Sequence, residues 1–168
     1  MTHTTRYSPV RRWHPIATRA GSLGGVELRD PGVIERLLTT PASWAVVGLS
    51  NNQSRAAYGV ARFLQQRLGM TIVPVHPRAE TVHGSVGYPS LADIPDGTSI
   101  DIVDCFVNSS RVGSVVDEAI TESGRLGVKA IWMQLNVIDT AAAERARDAG
   151  IDVVMEACPA IEAPKLGL

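Results

Sequence analysis

Residues 44–50 read Trp44-Ala45-Val46-Val47-Gly48-Leu49-Ser50, an apolar run that closes on glycine and serine. Such a run predicts a buried strand ending in a turn, and residues 56–68 behind it have helical spacing. In this arrangement Gly48 lets the backbone approach a phosphate, and N–H groups at the N-terminus of the next helix bind the negative charge. The stretch therefore predicts a nucleotide-like small-molecule ligand at the carboxyl end of the strand.

Strands and helices alternate along the rest of the chain. Further strand-like runs lie at residues 71–75, 100–106, 129–134 and 151–155, and helical spacing recurs at residues 112–123 and 140–149. An opening helix is predicted with Asp30 as its N-cap and Pro31 at its first position. Strands joined by helices pair in parallel through right-handed crossovers. The predicted fold class is therefore α/β, a Rossmann-like doubly wound sheet of about five parallel strands in three layers, with a short extra strand near residues 86–88.

Ligands of such sheets bind outside the carboxyl ends of the strands, at the topological switch point. The site is therefore expected from the segments that follow the first four strands, with Cys158 closing one side. Those segments are residues 48–55, 76–78, 106–108 and 134–136.

The residues after the first two strands narrow the choice of nucleotide. An NAD site typically has G-x-G-x-x-G after the first strand and an acidic residue about 20 positions later. Here residues 48–53 contain one glycine, and the second strand is followed by His76-Pro77-Arg78. An arginine at this point suits an extra ribose phosphate, which is the 2′-phosphate of NADP or the 3′-phosphate of coenzyme A (CoA). Plain NAD is disfavoured.

Charge and composition restrict the class of protein. The formal net charge of −1 gives no strong attraction to nucleic acid or to a membrane surface. The charge is uneven, because residues 1–29 hold five arginines and one acidic residue. We expect residues 1–27 to form a basic, partly flexible extension rather than an organelle transit peptide, and residues 28–168 to form the domain. Cys105 and Cys158 have no metal-type spacing and indicate a reducing, cytoplasmic compartment.

Several segments together resemble the small stand-alone CoA-binding domain family, which is similar to the N-terminal domain of the succinyl-CoA synthetase α-subunit. The resemblance covers about residues 28–166. It rests on Leu28-Arg29-Asp30-Pro31, Val46-Val47-Gly48-Leu49-Ser50, Val73-Pro74-Val75-His76-Pro77-Arg78, Tyr88-Pro89-Ser90-Leu91-Ala92-Asp93-Ile94-Pro95, Asp101-Ile102-Val103-Asp104, Trp132-Met133-Gln134-Leu135, Ala146-Arg147-Asp148-Ala149-Gly150 and Cys158 with Ile161-Glu162. It implies a Rossmann-like fold that holds CoA by its ADP end, with pantetheine running over the strand tips. It identifies no reaction.

The resemblance also implies roles for individual residues. Gly48 and Ser50 would form the phosphate turn, Ser54 and Arg55 open the next helix, Pro77 and Arg78 flank the adenosine, and Phe106 with Gln134 line the pantetheine path. The full set of predicted ligand-binding residues is Gly48, Leu49, Ser50, Ser54, Arg55, His76, Pro77, Arg78, Phe106, Val107, Asn108, Gln134 and Leu135. The chain departs from the family at residues 107–110, Ala157 and Ala160, where basic residues are common.

The sequence supports a non-catalytic CoA- or acyl-CoA-binding protein that acts as a carrier, a sensor or an accessory subunit. It contains no P-loop, H-E-x-x-H, C-x-x-C or G-x-S-x-G motif, so no catalytic or metal-ligating residue is predicted. Two alternatives stay open: an enzyme (an NADP-dependent oxidoreductase, or a CoA-transfer enzyme completed by a partner chain), and a ligand-free interaction scaffold. A homodimer or another protein partner is expected to cover the sheet edges.

Two side chains near the predicted site have structural and chemical interpretations. Asp104 lies in an apolar strand, where we expect it to accept hydrogen bonds from loop N–H groups rather than to catalyse. Cys105 is expected to face the core. Cys158 is expected at the mouth of the site, where a mixed disulfide with the CoA thiol is a hypothesis.

Overall fold

A computed structural model describes residues 27–168 of the chain, so the predicted basic extension lies almost wholly outside the described residues. The described residues form five strands and five helices. The strands are β1 (Ser43–Val47), β2 (Thr71–Val75), β3 (Ile102–Cys105), β4 (Ala130–Met133) and β5 (Asp152–Val154). The helices are α1 (Pro31–Thr39), α2 (Ala56–Gln66), α3 (Ser109–Leu126), α4 (Thr140–Asp148) and α5 (Pro159–Lys165).

All five strands are parallel and lie in one sheet in the order β2-β1-β3-β4-β5. The chain leaves β1 toward one edge of the sheet and later returns on its other side as β3. The ends of β1, β2 and β3 are aligned, because Val47 pairs with both Val75 and Cys105. The predicted Rossmann-like α/β fold is confirmed, and its switch point lies between β1 and β3.

The helices cover both faces of this sheet and bury two apolar cores. Helices α3 and α4 pack on one face, and α1, α2 and α5 pack on the other. Strands between two helical layers are buried on both sides, so their sequences are continuously apolar rather than alternating. Trp44 and Trp132 pack together in the core under α1, α2 and α5, with ring centroids 5.7 Å apart. The indole N–H of Trp132 donates to the carbonyl of Ala157 at 2.8 Å.

Local sequence signals explain where the helices begin. As predicted, Asp30 caps α1, and its carboxylate accepts hydrogen bonds from the N–H groups of Gly32 and Val33 at 2.8 and 3.1 Å. Asp139 caps α4 in the same way, accepting from Ala142 at 2.9 Å. The sequence analysis missed α5, and it began α3 three residues too late.

The predicted extra strand at residues 86–88 is wrong. The segment makes one isolated bridge, between Tyr88 and Val75 of β2, and the preceding residues make another, between Val82 and Ser85. Gly87 packs so closely on the backbone of Glu80 that a Cβ at residue 87 would overlap its carbonyl oxygen. The connection therefore folds back tightly on itself, and only Tyr88 pairs with the edge of the sheet at β2. Among the described residues, no helix combines the length and the hydropathy that crossing a membrane requires.

Candidate functional site

A cleft of about 630 Å³ opens at the carboxyl ends of β2, β1 and β3, at the switch point. Its volume lies within the range of about 300–1,000 Å³ that is typical of small-molecule sites. The cleft brings together nine of the thirteen predicted ligand-binding residues. These are Gly48, Ser50, Arg55, His76, Pro77, Arg78, Phe106, Val107 and Asn108.

Gly48 closes β1 with a φ of +96°, a conformation that side chains with a Cβ rarely adopt. A Cβ at this position would overlap the carbonyl oxygen of Phe106, at the end of β3. The N–H of Gly48 donates to the carbonyl of Val75 at 2.8 Å. The close approach of the strand ends therefore requires glycine at this position. The N–H of Gly48 is already bonded to the carbonyl of Val75. Ser50 is buried beside it and accepts a hydrogen bond from the N–H of Asn52 at 3.3 Å.

The N-termini of α2 and α3 both open onto the cleft. The side chains of their N-cap residues, Arg55 and Asn108, accept no capping hydrogen bond from a backbone N–H of the helix, and both residues line the cleft. Helices α1 and α4, which begin away from the cleft, are each capped by an aspartate. The first N–H groups of a helix lack partners within it and carry partial positive charge. The cleft therefore presents two positive helix ends that no carboxylate of residues 27–168 caps.

Three arginines add positive charge to the same cleft: Arg55, Arg78 and Arg111. Within residues 27–168, neither Arg55 nor Arg111 forms an ion pair, and Arg78 lies 3.9 Å from the carboxylate of Glu80. The acidic residue lining the cleft, Glu118, accepts a hydrogen bond from the N–H of Ala92 at 3.0 Å. Cations beside a helix N-terminus repel its dipole, so an anion in the cleft would be strongly stabilised.

The first turns of α3 contribute residues that the sequence analysis left out of the site. Arg111, Ser114, Val115 and Glu118 all line the cleft. They recur at intervals of three and four residues and therefore share one helix face. That spacing is visible in the sequence and would have identified them. Pro89 and Ser90, from the long connection, were also missed and line the cleft with Pro77 and Val107 as partly apolar walls.

Four predicted residues lie outside the cleft. The side chain of Leu49 is fully buried in the core beside α1 and α2, and Ser54 donates to the side-chain oxygen of Asn52 at 2.6 Å. Gln134 is buried and Leu135 is exposed at the end of β4, but neither lines the cleft. The structure therefore does not place these four residues with the others.

Asp104 is fully buried in β3, and its environment differs from the expected one. Its Oδ1 accepts a hydrogen bond from the side-chain amide of Gln134 at 2.6 Å, and its Oδ2 has no hydrogen-bond partner among residues 27–168. The expectation that Asp104 accepts from loop N–H groups is therefore wrong, since a buried amide side chain takes that place. Burial raises the pKa of Asp104 to about 7, against the opposing effect of the Gln134 hydrogen bond.

The two cysteines are both buried and free. Cys105 faces the core as predicted, and burial together with the nearby Asp104 raises the pKa of its thiol. Cys158 is the N-cap of α5, and burial raises the pKa of its thiol as well. Cys158 does not line the cleft. The expectation that it closes one side of the site is therefore wrong, and the raised pKa disfavours the thiolate that a mixed disulfide needs.

Comparison with known proteins identifies the family. The profile of the CoA binding domain family matches residues 42–164. A hypothetical protein from Pyrococcus horikoshii is 31% identical, with a TM-score of 0.74 over 90% of this chain and 99% of that one. The chain therefore belongs to the CoA binding domain family, as the resemblance predicted.

Two larger proteins are also similar. The acetate–CoA ligase [ADP-forming] II subunit alpha of Pyrococcus furiosus is 31% identical over 91 residues, which is 54% of this chain and 19% of that protein. A dinucleotide forming acetyl-coenzyme A synthetase 1 from Ca. Korarchaeum cryptofilum, in complex with phosphate and ADP, is 25% identical with a TM-score of 0.57. The match covers 70% of this chain and 26% of that one. The chain thus spans about a fifth to a quarter of these relatives.

Proposed function

We propose that this protein binds CoA or an acyl-CoA in the cleft between the N-termini of α2 and α3. One observation carries the proposal: two helix N-termini without side-chain caps face one cleft, together with Arg55 and Arg111, which form no ion pair within the described part of the chain. A pyrophosphate supplies the negative charge that this arrangement lacks. Ala56 and Ala57, the first two residues of α2, line the cleft with Arg55, and their N–H groups would bind the pyrophosphate.

The rest of the cleft suits the remainder of a nucleotide. Pro77 and Val107 provide apolar surface for an adenine ring, and Arg78 stands beside Pro77 as the partner for a phosphate on the ribose. A 3′-phosphate distinguishes the nucleotide part of CoA from plain ADP. Arg78 equally suits the 2′-phosphate of NADP, which is the ligand of the competing oxidoreductase hypothesis.

We propose that the protein performs no reaction on its own and acts as a carrier, a sensor or an accessory subunit. The three acid groups whose burial raises their pKa values, the Asp104 carboxyl and the thiols of Cys105 and Cys158, lie outside the cleft. The ring nitrogen Nδ1 of His76, in the cleft, is occupied by a backbone N–H. The names of the larger relatives, an ADP-forming ligase subunit and a CoA synthetase, support the accessory role beside a partner chain.

Isothermal titration with CoA, NADP and NAD tests the ligand. We expect saturable binding of CoA, weakened roughly tenfold or more by Arg55→Ala, because a hydrogen bond to a charged group contributes about 1.5–3 kcal/mol. Arg62→Ala is the matched control, since Arg62 is exposed on the same helix outside the cleft and should leave the affinity unchanged. Binding of NADP without CoA would support the oxidoreductase instead. No binding of any of the three would support the scaffold.

A further inference from the structure

His76 makes three hydrogen bonds that hold the turn carrying Arg78. The N–H of His76 donates to the carbonyl of Tyr88 at 3.0 Å, which ties the end of β2 to the returning connection. Its carbonyl accepts from the N–H of Ala79 at 2.7 Å and closes a four-residue turn. Its ring nitrogen Nδ1 accepts from the N–H of Arg78 at 3.2 Å. All three bonds act on the backbone of one short segment.

The geometry of this turn makes a restraint from the side chain necessary. Ala79 has a φ of +47°, in the left-handed region that costs a residue with a Cβ free energy. Pro77 fixes the first central position of the turn. The bond from the side chain of His76 to the N–H two residues later has the pattern of an Asx turn, with an imidazole replacing the usual carboxylate or amide.

The guanidinium of Arg78 depends on this turn for its position. Its side chain is 64% exposed, and its ion-pair partner, Glu80, lies 3.9 Å away, at the outer limit of such a pair. A long exposed side chain is weakly restrained by its own contacts. The direction in which Arg78 leaves the backbone is therefore set mainly by the turn.

We infer that His76 is a positioning residue, whose imidazole holds the turn so that Arg78 meets the ribose phosphate of the ligand. This inference rests on the proposed function, and it adds a determinant of specificity to it. His76 selects for nucleotides that carry a phosphate on the ribose, acting through Arg78. The contribution of the imidazole is an acceptor at Nδ1, not an aromatic surface for the ligand.

Asparagine separates these two roles. The Oδ1 of an asparagine stands at the same number of bonds from Cβ as the Nδ1 of a histidine, so it accepts the same N–H without providing a ring. Alanine removes both the acceptor and the ring. The ligand pair CoA and dephospho-CoA isolates Arg78, since the two differ only in the 3′-phosphate.

The experiment titrates the wild type, His76→Asn, His76→Ala, Arg78→Ala and the double variant His76→Ala/Arg78→Ala with both ligands. We expect the wild type and His76→Asn to prefer CoA over dephospho-CoA by about tenfold. His76→Ala should lose most of this preference while its affinity for dephospho-CoA stays within about twofold. The double variant should lose no more of the preference for CoA than Arg78→Ala does, because both substitutions remove the same interaction with the 3′-phosphate. Arg55→Ala, as a control, should lower the affinity for CoA and for dephospho-CoA by the same factor.

Three results would overturn the inference in distinguishable ways. A preference for CoA that survives His76→Ala shows that the turn does not need the imidazole, and CoA binding by the wild type then leaves the proposed function intact. Loss of the preference in His76→Asn as well shows that the ring itself contacts the ligand. Absence of CoA binding by the wild type refutes the proposed function and this inference together. Thermal unfolding of each variant confirms that it is folded.

Discussion

Replacing Asp104 by asparagine should abolish a large pH dependence of the free energy of unfolding. The Oδ1 of the buried carboxyl accepts from Gln134, its Oδ2 has no partner in the described part of the chain, and burial raises the pKa of the carboxyl to about 7. Asparagine keeps an acceptor for Gln134 and nearly the same shape, but it cannot ionise. The comparison between the wild type and Asp104→Asn therefore isolates the cost of charging this one group inside the core.

The sign and size of the effect follow from linkage. Because the pKa of Asp104 is higher in the folded protein than its ordinary value of about 3.9, the folded state binds the proton more tightly than the unfolded state. The contribution of protonated Asp104 to the free energy of unfolding is complete below about pH 4 and is lost as the pH rises through about 7. A difference of about three pKa units corresponds to about 4 kcal/mol, of which about 3 kcal/mol is lost between pH 5 and pH 8.

Urea unfolding of both proteins at pH 5, 6, 7 and 8 measures this loss. We expect the free energy of unfolding of Asp104→Asn, relative to the wild type, to rise by about 3 kcal/mol over that range. Asp148→Asn is the matched control, since Asp148 is exposed at the end of α4 and its pH profile should parallel the wild type. Parallel profiles for Asp104→Asn and the wild type would refute the argument that burial destabilises the Asp104 carboxylate.

Two further predictions concern the strand ends and the thiols. Gly48→Ala should lower the free energy of unfolding by roughly 2 kcal/mol or more, because it adds a clash with the Phe106 carbonyl to the cost of a positive φ. Gly84 has a φ of +80° and open space around it, so Gly84→Ala should lower the free energy of unfolding by only about 1 kcal/mol. Equal losses for the two variants in urea unfolding would contradict the role of the clash. Cys105 and Cys158 should react with maleimide far more slowly in the native protein than in denaturant, because both thiols are buried and their pKa values are raised. Fast native labelling of Cys158, located by mass spectrometry, would contradict this placement.

The fold could be predicted from the sequence because several independent patterns, in the strands and at the helix caps, indicate the same architecture. Each strand is buried between two helical layers, so each one appears as an apolar run that no helix pattern matches. The helix caps at Asp30 and Pro31 are equally local signals. The error at residues 86–88 has a tertiary cause, since the contact between Gly87 and the Glu80 backbone joins residues that no local pattern relates.

The candidate site was less accessible to sequence reasoning. Topology places the ends of neighbouring strands together, but it does not determine which side chain points into the space between them. Successive residues of a strand point to opposite faces, so a side chain at a strand end can join the core instead of the cleft. Leu49 and Gln134 did so, and Gln134 found a buried partner in Asp104. Gly48 was singled out for the close approach of a ligand phosphate, and the nearest constraint on it in the structure is the Phe106 carbonyl.

Backbone NMR of isotope-labelled protein during a titration with CoA tests the central claim most directly. We predict that the largest shift changes fall on the N–H groups of Ala56 and Ala57, on the first turn of α3, and on residues 76–79. These groups surround the cleft, and the helix N–H groups would take up the pyrophosphate. Shifts confined to the region of Gln134 and Cys158, or no saturable shifts at all, would contradict the account.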